Sequence, residues 1–313
     1  MEYVSDFEWK DGIKVSELVD GLGEVGFQSV ELYRASEVFC KMKRENAKIF
    51  LTFTSNMVTS GLRGFFAQLI RLDMAHIIVT TAGAIEEDIM KASGEKFAIG
   101  SFNSDDVELH EQGINRVGNL EIKNESYANL EAMLQPLLGE LYKKKTRWSV
   151  SELLYEIGLR LTDENSILYQ AAKKGVPIFC PAITDGSFGF QLYLFQQDHK
   201  DFIVDVVSDF GNIIFATNHD EKKAVIALGG SVSKHHAILS TLLNGGAELA
   251  VYMTTAHKTS GSMSGATTSE AKSWGKIKDE SDIATVVGDV TIMFPLAMCR
   301  SLDELSKEDL IKE

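Results

Sequence analysis

The segment AKSWGKIKDE, residues 271–280, lodges Lys276 directly behind Ser273, Trp274 and Gly275. A lysine attacks only after losing its proton, and apolar or aromatic walls penalise the ammonium form, so these neighbours suit a nucleophile. Trp274 offers a flat face to a cation, worth ~0.5–2 kcal/mol depending on desolvation, although core packing is the commoner fate of a lone indole. His235 and His236 follow GGSVSK. Adjacent helical residues point about 100° apart, so the pair cannot chelate one metal as an i, i+4 pair does. A histidine beside a glycine elbow can instead transfer protons, or simply be a satisfied structural residue. Glu86, Glu87 and Asp88 follow the TTAG elbow. They complement a helix N-terminus, or one of the two glutamates faces the strand ends and takes an amine or a ribose hydroxyl.

The elements that must position these groups follow from one recurring pattern: a short β-branched run, a polar or glycine elbow, then helical spacing. KIFLTFT runs into SNMVTSGLRG, HIIVTTAG into AIEEDIMKA, VPIFCPAITDG into SFGFQLYLFQQ, AVIALGG into SVSKHHAILSTLL, LAVYMTTA into SGSMSGATT, and ATVVGDV (284–290) into TIMFPLAM. Such alternation predicts a doubly wound, mostly parallel α/β sheet with helices on both faces, its elbows gathered at the carboxyl ends of the strands, where these sheets bind ligands. Ser55, Asn56 and Thr59, then Thr81, Ala82 and Gly83, then Gly229 to Ser231, then Thr254 to Ala256 would let a nucleotide-like ligand approach the backbone, or else cap helices. Residues 1–45 read as a helical N-terminal extension, 46–313 as one α/β domain, and 117–165 as mainly helical. Gly21, Gly23 and Gly26 in GLGEVG match GxGxxG, but no strand leads into them, so a turn between helices is expected. There is no GxSxG elbow and no P-loop, which leaves hydrolase and phosphoryl-transfer readings unsupported.

At 313 residues, 44% hydrophobic and 24% charged, the chain can bury a substantial core. Its net charge of −14 disfavours nucleic acid and anionic membranes and favours cationic partners. Cys40, Cys180 and Cys299 are far apart and odd in number, so neither a disulfide framework nor a zinc site is expected, and a reducing cytoplasm fits. No secretory leader or transmembrane run is evident.

In order, FTSNMVTSGLRG, VTTAGAIEED, GINRVGNL, NSILYQAAKKGVPIFCPAITDGSFG, ALGGSVSKHHAILSTLLNGGAELAVYMTTA, GSMSGA, SEAKSWGK and GDVTIMFPLA resemble the successive motifs of deoxyhypusine synthase, across about residues 46–298. The resemblance implies the Rossmann-like fold of that family and its NAD-dependent reaction. The aminobutyl part of spermidine is oxidised to an imine, diaminopropane leaves, an enzyme lysine holds the aminobutyl group, and a lysine of the hypusine-containing translation factor precursor receives it. It implies Lys276 as that enzyme lysine and His235 as the proton-transfer group. Ser55, Asn56, Met57, Val58, Thr59, Thr81, Ala82, Gly83, Glu87, Asp185, Thr255, Ala256, Asp289 and Val290 would line the NAD site. Glu86, Glu87, Gly230, His235, Gly261, Ser262, Ser264, Gly265, Ala266, Thr267 and Trp274 would surround the polyamine. A homotetramer of tight dimers and no metal are implied as well.

The chain departs from the family where amines bind. Phe190 and Met263 stand where many members carry aspartate, and His257, Lys258, Thr259 and Ser260 replace an acidic residue followed by Asp-Gly ahead of the GSxSGA motif. Transfer to a free diamine, as in homospermidine synthesis, and a non-catalytic NAD-binding paralogue are the alternatives these departures leave open.

Overall fold

A computed structural model describes residues 3–312. Along the chain the elements are α1 (Val15–Leu22), α2 (Phe27–Arg44), β1 (Lys48–Thr52), α3 (Ser55–Thr59), α4 (Arg63–Arg71), β2 (Ile77–Val79), α5 (Ala82–Ala92), β3 (Ala98–Ile99), α6 (Asp106–Glu111), β4 (Ile114–Val117), β5 (Leu120–Lys123) and α7 (Asn124–Lys144). They continue with β6 (Arg147–Ser149), α8 (Val150–Gly158), α9 (Ile167–Lys174), β7 (Ile178–Phe179), α10 (Ser187–Asp198), β8 (Ile203–Asp205), α11 (Val206–Phe215), β9 (Lys223–Leu228), α12 (Ser231–Leu243), β10 (Ala247–Thr254), α13 (Thr268–Lys272), β11 (Ile277–Val287) and α14 (Val290–Lys307). The chain divides into two compact units. The first takes the chain as far as Phe53, Leu72–Val79 and everything from Asn212 onward; the second takes Thr54–Arg71 and Thr80–Gly211.

In the first unit five strands run parallel in the order β11-β10-β9-β1-β2. Leu51 pairs with Ile78 on one side and Ile226 on the other, and Val251 pairs with Ile226 and Ala284. Every residue of β9 and four of five in β1 are buried, the continuous pattern of strands covered on both faces. Helix α12 packs on β1 and β9, while α2 and α14 pack on each other and on β10. Phe39 of α2 meets Phe294 of α14 edge to face at 5.9 Å, both fully buried. Each such ring stabilises by ~1.5–3 kcal/mol through burial alone. The N-terminal helices α1 and α2 thus sit in the same unit as the sheet; Gly23 and Gly26 lie in the turn between them, as expected, whereas Gly21 falls in the last turn of α1. Strand order reverses between β9 and β1, the switch point beside which open α/β sheets hold ligands.

The last strand, expected at 284–290, begins earlier: β11 starts at Ile277, immediately after Lys276. Its first half is too polar to show apolar alternation. A register shift between the Ala247 and Leu249 pairings accommodates the KDES segment, and Ser281 Oγ donates to the Ala247 carbonyl at 3.0 Å. Asp289 and Val290, read as the end of that strand, instead cap and open α14.

The second unit is built around α5. Asp88 is buried and accepts hydrogen bonds from Arg63 Nε (2.5 Å), Ser166 Oγ (2.8 Å) and the Leu168 N–H (2.9 Å), tying α5 to α4 and to the start of α9. An antiparallel sheet β3-β5-β4 and a parallel pair β6-β8 complete this unit. The hairpin β4–β5 corrects the start of the expected helical stretch at 117. Gly118 and Asn119 form a two-residue connection, with Gly118 at φ +63°, a turn signal between short strands.

Candidate active site

Lys276 lies in the first unit, where its carbonyl accepts from the Ala247 N–H (3.0 Å) and Thr241 Oγ1 (3.2 Å), pinning the backbone at the start of β11. The residue is 4% exposed, and its Nζ stands 5.0 Å from the Trp274 ring centroid. Trp274 itself is 63% exposed, so the indole covers the lysine rather than packing in the core. A narrow recess holds both, lined also by Lys234, Tyr252, Met263, Ala266, Thr267 and Glu270. Burial pushes the Lys276 ammonium below its ordinary range, and Glu270 opposes that shift. The amine is therefore biased toward its nucleophilic form with a carboxylate nearby.

The helix α13 delivers this arrangement. Thr267 caps it, its Oγ1 accepting from the Glu270 N–H at 3.1 Å, and the chain turns back through Trp274 and Gly275 to Lys276. Glu270 is a recess residue that sequence reading misses. The TxxE spacing from Thr267 to Glu270 is a helix-start signal that could have placed this acid on the face leading to Lys276.

His235, on α12, is half-buried, and burial followed by the Lys276 charge lowers its pKa. It is thus electrostatically coupled to the lysine and favoured as the neutral imidazole, the form that accepts a proton. His236 is pushed down to about 4 by burial and by His235. Gly230 opens α12: a Cβ there would fall 2.1 Å from Ser264 Oγ, so only glycine lets the 261–267 turn rest on this elbow. The Ser231 N–H donates to Ser264 Oγ at 3.2 Å, with Ser231 itself held at φ +59°. Within the turn, Ser262 Oγ accepts from the Ser264 N–H, and Gly265 sits where a Cβ would meet the His257 carbonyl at 2.2 Å. Gly261 takes φ +70°. Thr255 and Ala256 follow β10, the Ala256 N–H donating to Thr254 Oγ1 at 3.0 Å, and Asp289 uses its carboxylate on the Thr291 N–H at 2.8 Å. None of Thr255, Ala256, Asp289 and Val290 lines the Lys276 recess.

In the second unit, Ser55, Thr59, Thr81, Gly83 and Glu87 come together. The Ser55 N–H donates to Thr81 Oγ1 (3.1 Å), Thr59 Oγ1 lies 2.6 Å from Glu87 Oε2, and a Cβ on Gly83 would meet that of Ser55 at 2.8 Å. Met57 and Val58 face the core, whereas Asn56 and Asp185 are exposed. Helix α5 begins at Ala82, which puts the three acids in its second turn, buried, rather than complementing its first amides. Each binds a different element. Glu86 accepts from the Phe188 N–H (2.7 Å) at the start of α10, Glu87 meets α3, and Asp88 meets α4 and α9. The expectation of a dipole-complementing acidic turn is thus replaced by three inter-helix ties. Burial raises Glu86 and takes Glu87 up to about 7.

Among the described residues no group of three or more His, Cys, Asp or Glu side chains is placed to hold a metal, and no helix is long and apolar enough to cross a membrane.

Fold and recess together define a parallel α/β enzyme with a buried, indole-covered lysine beside a glycine-and-serine elbow. The chain belongs to the deoxyhypusine synthase family, whose family model matches residues 17–300. A protein named "Probable deoxyhypusine synthase" from Thermoplasma volcanium is 40% identical over 277 residues, covering 87% of this chain and 88% of that one. One of the same name from Schizosaccharomyces pombe is 37% identical, covering 91% and 86%. A crystal structure from Entamoeba histolytica assigned to the same enzyme superimposes with a TM-score of 0.70 at 28% identity, covering 96% of this chain and 97% of that one.

Proposed function

We propose that this transferase joins the aminobutyl group of spermidine, or of a closely related amine, to one lysine of the hypusine-containing translation factor precursor, with NAD as cofactor. The observation that carries the reading is the burial of Lys276 beneath Trp274, with Glu270 and His235 within electrostatic reach. Bound NAD would supply the hydride acceptor for the amine carbon and return that hydride at the end.

Support for a dinucleotide comes from the α5 start. The N-cap Thr81 makes no side-chain bond to its own helix, its hydroxyl being taken by Ser55, so the first amides of α5 remain available to an anionic group. Gly83 keeps that approach open toward Ser55. Within the second unit Ser55–Thr59, Thr81–Gly83, Glu87 and Asp185 are the proposed NAD contacts, and within the first Thr255, Ala256, Asp289 and Val290 are. On the amine side, Glu270 supplies the carboxylate for an ammonium group, and the Trp274 face shields the reacting end from water. Lys276 Nζ attacks the electrophilic carbon; diaminopropane departs, and the aminobutyl group stays on Lys276 as an imine. His235, favoured as the free base, takes and returns the proton that moves with amine exchange. Gly230 and the Gly261–Thr267 turn complete the proposed amine surround within the first unit, and Glu86 is a separate proposed amine contact within the second; the cytoplasm and a homotetramer are proposed as well.

Incubation with NAD, labelled spermidine and the factor precursor is expected to label the precursor. Lys276→Ala is expected to reduce labelling by at least ~10³-fold, because the covalent route is removed. Labelling by the variant at the parent rate overturns the role of Lys276. Because Phe190, Ser260 and Met263 replace carboxylates, a parallel reaction with putrescine and no precursor tests transfer to a free diamine. Homospermidine as the main product would replace the protein acceptor.

A further inference from the structure

Helix α13 has only five residues, Thr268–Lys272, too few to persist on its own hydrogen bonds, so contacts outside it must fix its place. Yet it and the turn after it carry one wall of the recess, through Glu270, Ala271 and Trp274. Two ties fasten α13 to β11. At its start Thr268, 3% exposed, meets Thr285: the two hydroxyl oxygens lie 2.9 Å apart, and the Thr268 N–H donates to Thr285 Oγ1 at 3.3 Å. At its end Lys272 Nζ donates to the Asp279 carbonyl at 2.6 Å, an exposed contact. Thr285 is itself tied to α2, its N–H donating to Glu31 Oε2 at 3.4 Å. The hydroxyl pair is self-consistent, because Thr285 Oγ1 can accept the first amide of the helix while one hydroxyl donates to the other. Thr267 Oγ1 takes a different amide, that of Glu270. After α13 the Trp274 and Lys276 N–H groups both donate to the Ala271 carbonyl, at 3.3 and 3.1 Å. The seat of α13 on β11 therefore sets where Trp274 lies, while Lys276 is also held from the sheet side through Ala247 and Thr241.

We propose that Thr268 and Thr285 are positioning residues for the amine donor: their hydroxyl pair seats α13 on β11 and so holds Glu270 and Trp274 at the recess. The inference rests on the reading of the recess as the amine site with Lys276 as the nucleophile. Neither threonine lines the recess, so both act through the helix. Removing one hydroxyl leaves its buried partner without a bond, a penalty that a five-residue helix relieves by shifting. Because Lys276 keeps its anchors in the sheet, the loss falls on capture of the amine more than on the chemical step.

The test is the rate of borohydride-trapped adduct formation on Lys276, with NAD present and spermidine varied, which gives a half-saturating concentration and a maximal rate without the protein acceptor. Thr268→Val and Thr285→Val keep the side-chain shape and lose the hydroxyl. Each is expected to raise half-saturating spermidine about tenfold, the scale of one buried hydrogen bond, with the maximal rate within about threefold of the parent and NAD affinity unchanged. The double variant is expected to be little worse than either single one, because the two hydroxyls act as a unit. Thr268→Ser, which keeps a hydroxyl, is expected to stay within about twofold of the parent. If Thr285→Val does not fold, Thr268→Val against Thr268→Ser decides; if neither Val variant folds, the pair serves the fold as a whole and the proposal falls. Half-saturation unmoved in the Val variants, or effects that add in full, with the adduct still on Lys276, overturns the positioning role alone. A parent that forms no adduct on Lys276 overturns the underlying reading.

Discussion

Thr59 has one hydroxyl proton and two acceptors within reach, the Ser55 carbonyl at 3.0 Å and Glu87 Oε2 at 2.6 Å. A protonated Glu87 resolves the conflict by donating to Thr59, which then donates to Ser55, and burial pushes the Glu87 carboxyl up to about 7 in agreement. The sign follows. A carboxyl raised in the folded protein contributes stability that is present below its ordinary range near 4.3 and lost as pH rises through about 7. Glu87→Gln supplies a permanent donor to Thr59. Its unfolding free energy is expected to gain on the parent by on the order of 1–3 kcal/mol between pH 5 and pH 8, as chemical denaturation at the two pH values would show. A constant difference across that range contradicts a neutral Glu87. Residue types alone identify Glu87 as a candidate, but not its protonation state, because burial by α3 is a tertiary fact.

Two elements depend on contacts that are not local in sequence. Lys91, on α5, donates to the carbonyls of Val58 (2.6 Å) and Thr59 (3.0 Å), closing the end of the short helix α3. Lys91→Met should loosen that helix and weaken NAD binding about tenfold by calorimetry, close to the ~1.5–3 kcal/mol of a charge-assisted bond. Unchanged affinity separates α3 from the cofactor. Gly230→Ala is expected to displace the 261–267 turn, since its Cβ would lie 2.1 Å from Ser264 Oγ, and to cut kcat/KM for spermidine by at least ~100-fold while NAD affinity stays near that of the parent. Loss of both together would mean the fold itself had failed. The strands β1, β9 and β10 are legible because their residues are buried on both faces and read as continuous apolar runs. The early part of β11 is not, since Lys278 to Ser281 are polar and fall in the register shift between the Ala247 and Leu249 pairings, where Lys278 pairs with Glu248 and Ser281 Oγ donates to the Ala247 carbonyl. The lysine is recognisable from SWGK and Glu270 could be placed from its TxxE helix start, while Lys234 is not legible, because its relation to Lys276 arises from α12 and α13 meeting one recess.

At the scale of the whole molecule, a net charge of −14 attracts a polycation and salt screens that attraction. The KM for spermidine is expected to rise several-fold between about 50 and 300 mM salt with kcat little changed; a flat KM would assign binding to local contacts alone. NAD at about 100 times its Kd should stabilise the chain by ~2.7 kcal/mol, read as a higher thermal midpoint, with spermidine alone giving much less. The most direct measurement of the central claim is mass spectrometry of the chain after borohydride reduction in the presence of NAD and spermidine. An aminobutyl mass increment confined to the peptide containing Lys276, and absent without NAD, is the expected result. An increment on Lys234 or another lysine, or none while the factor precursor is still modified, contradicts it.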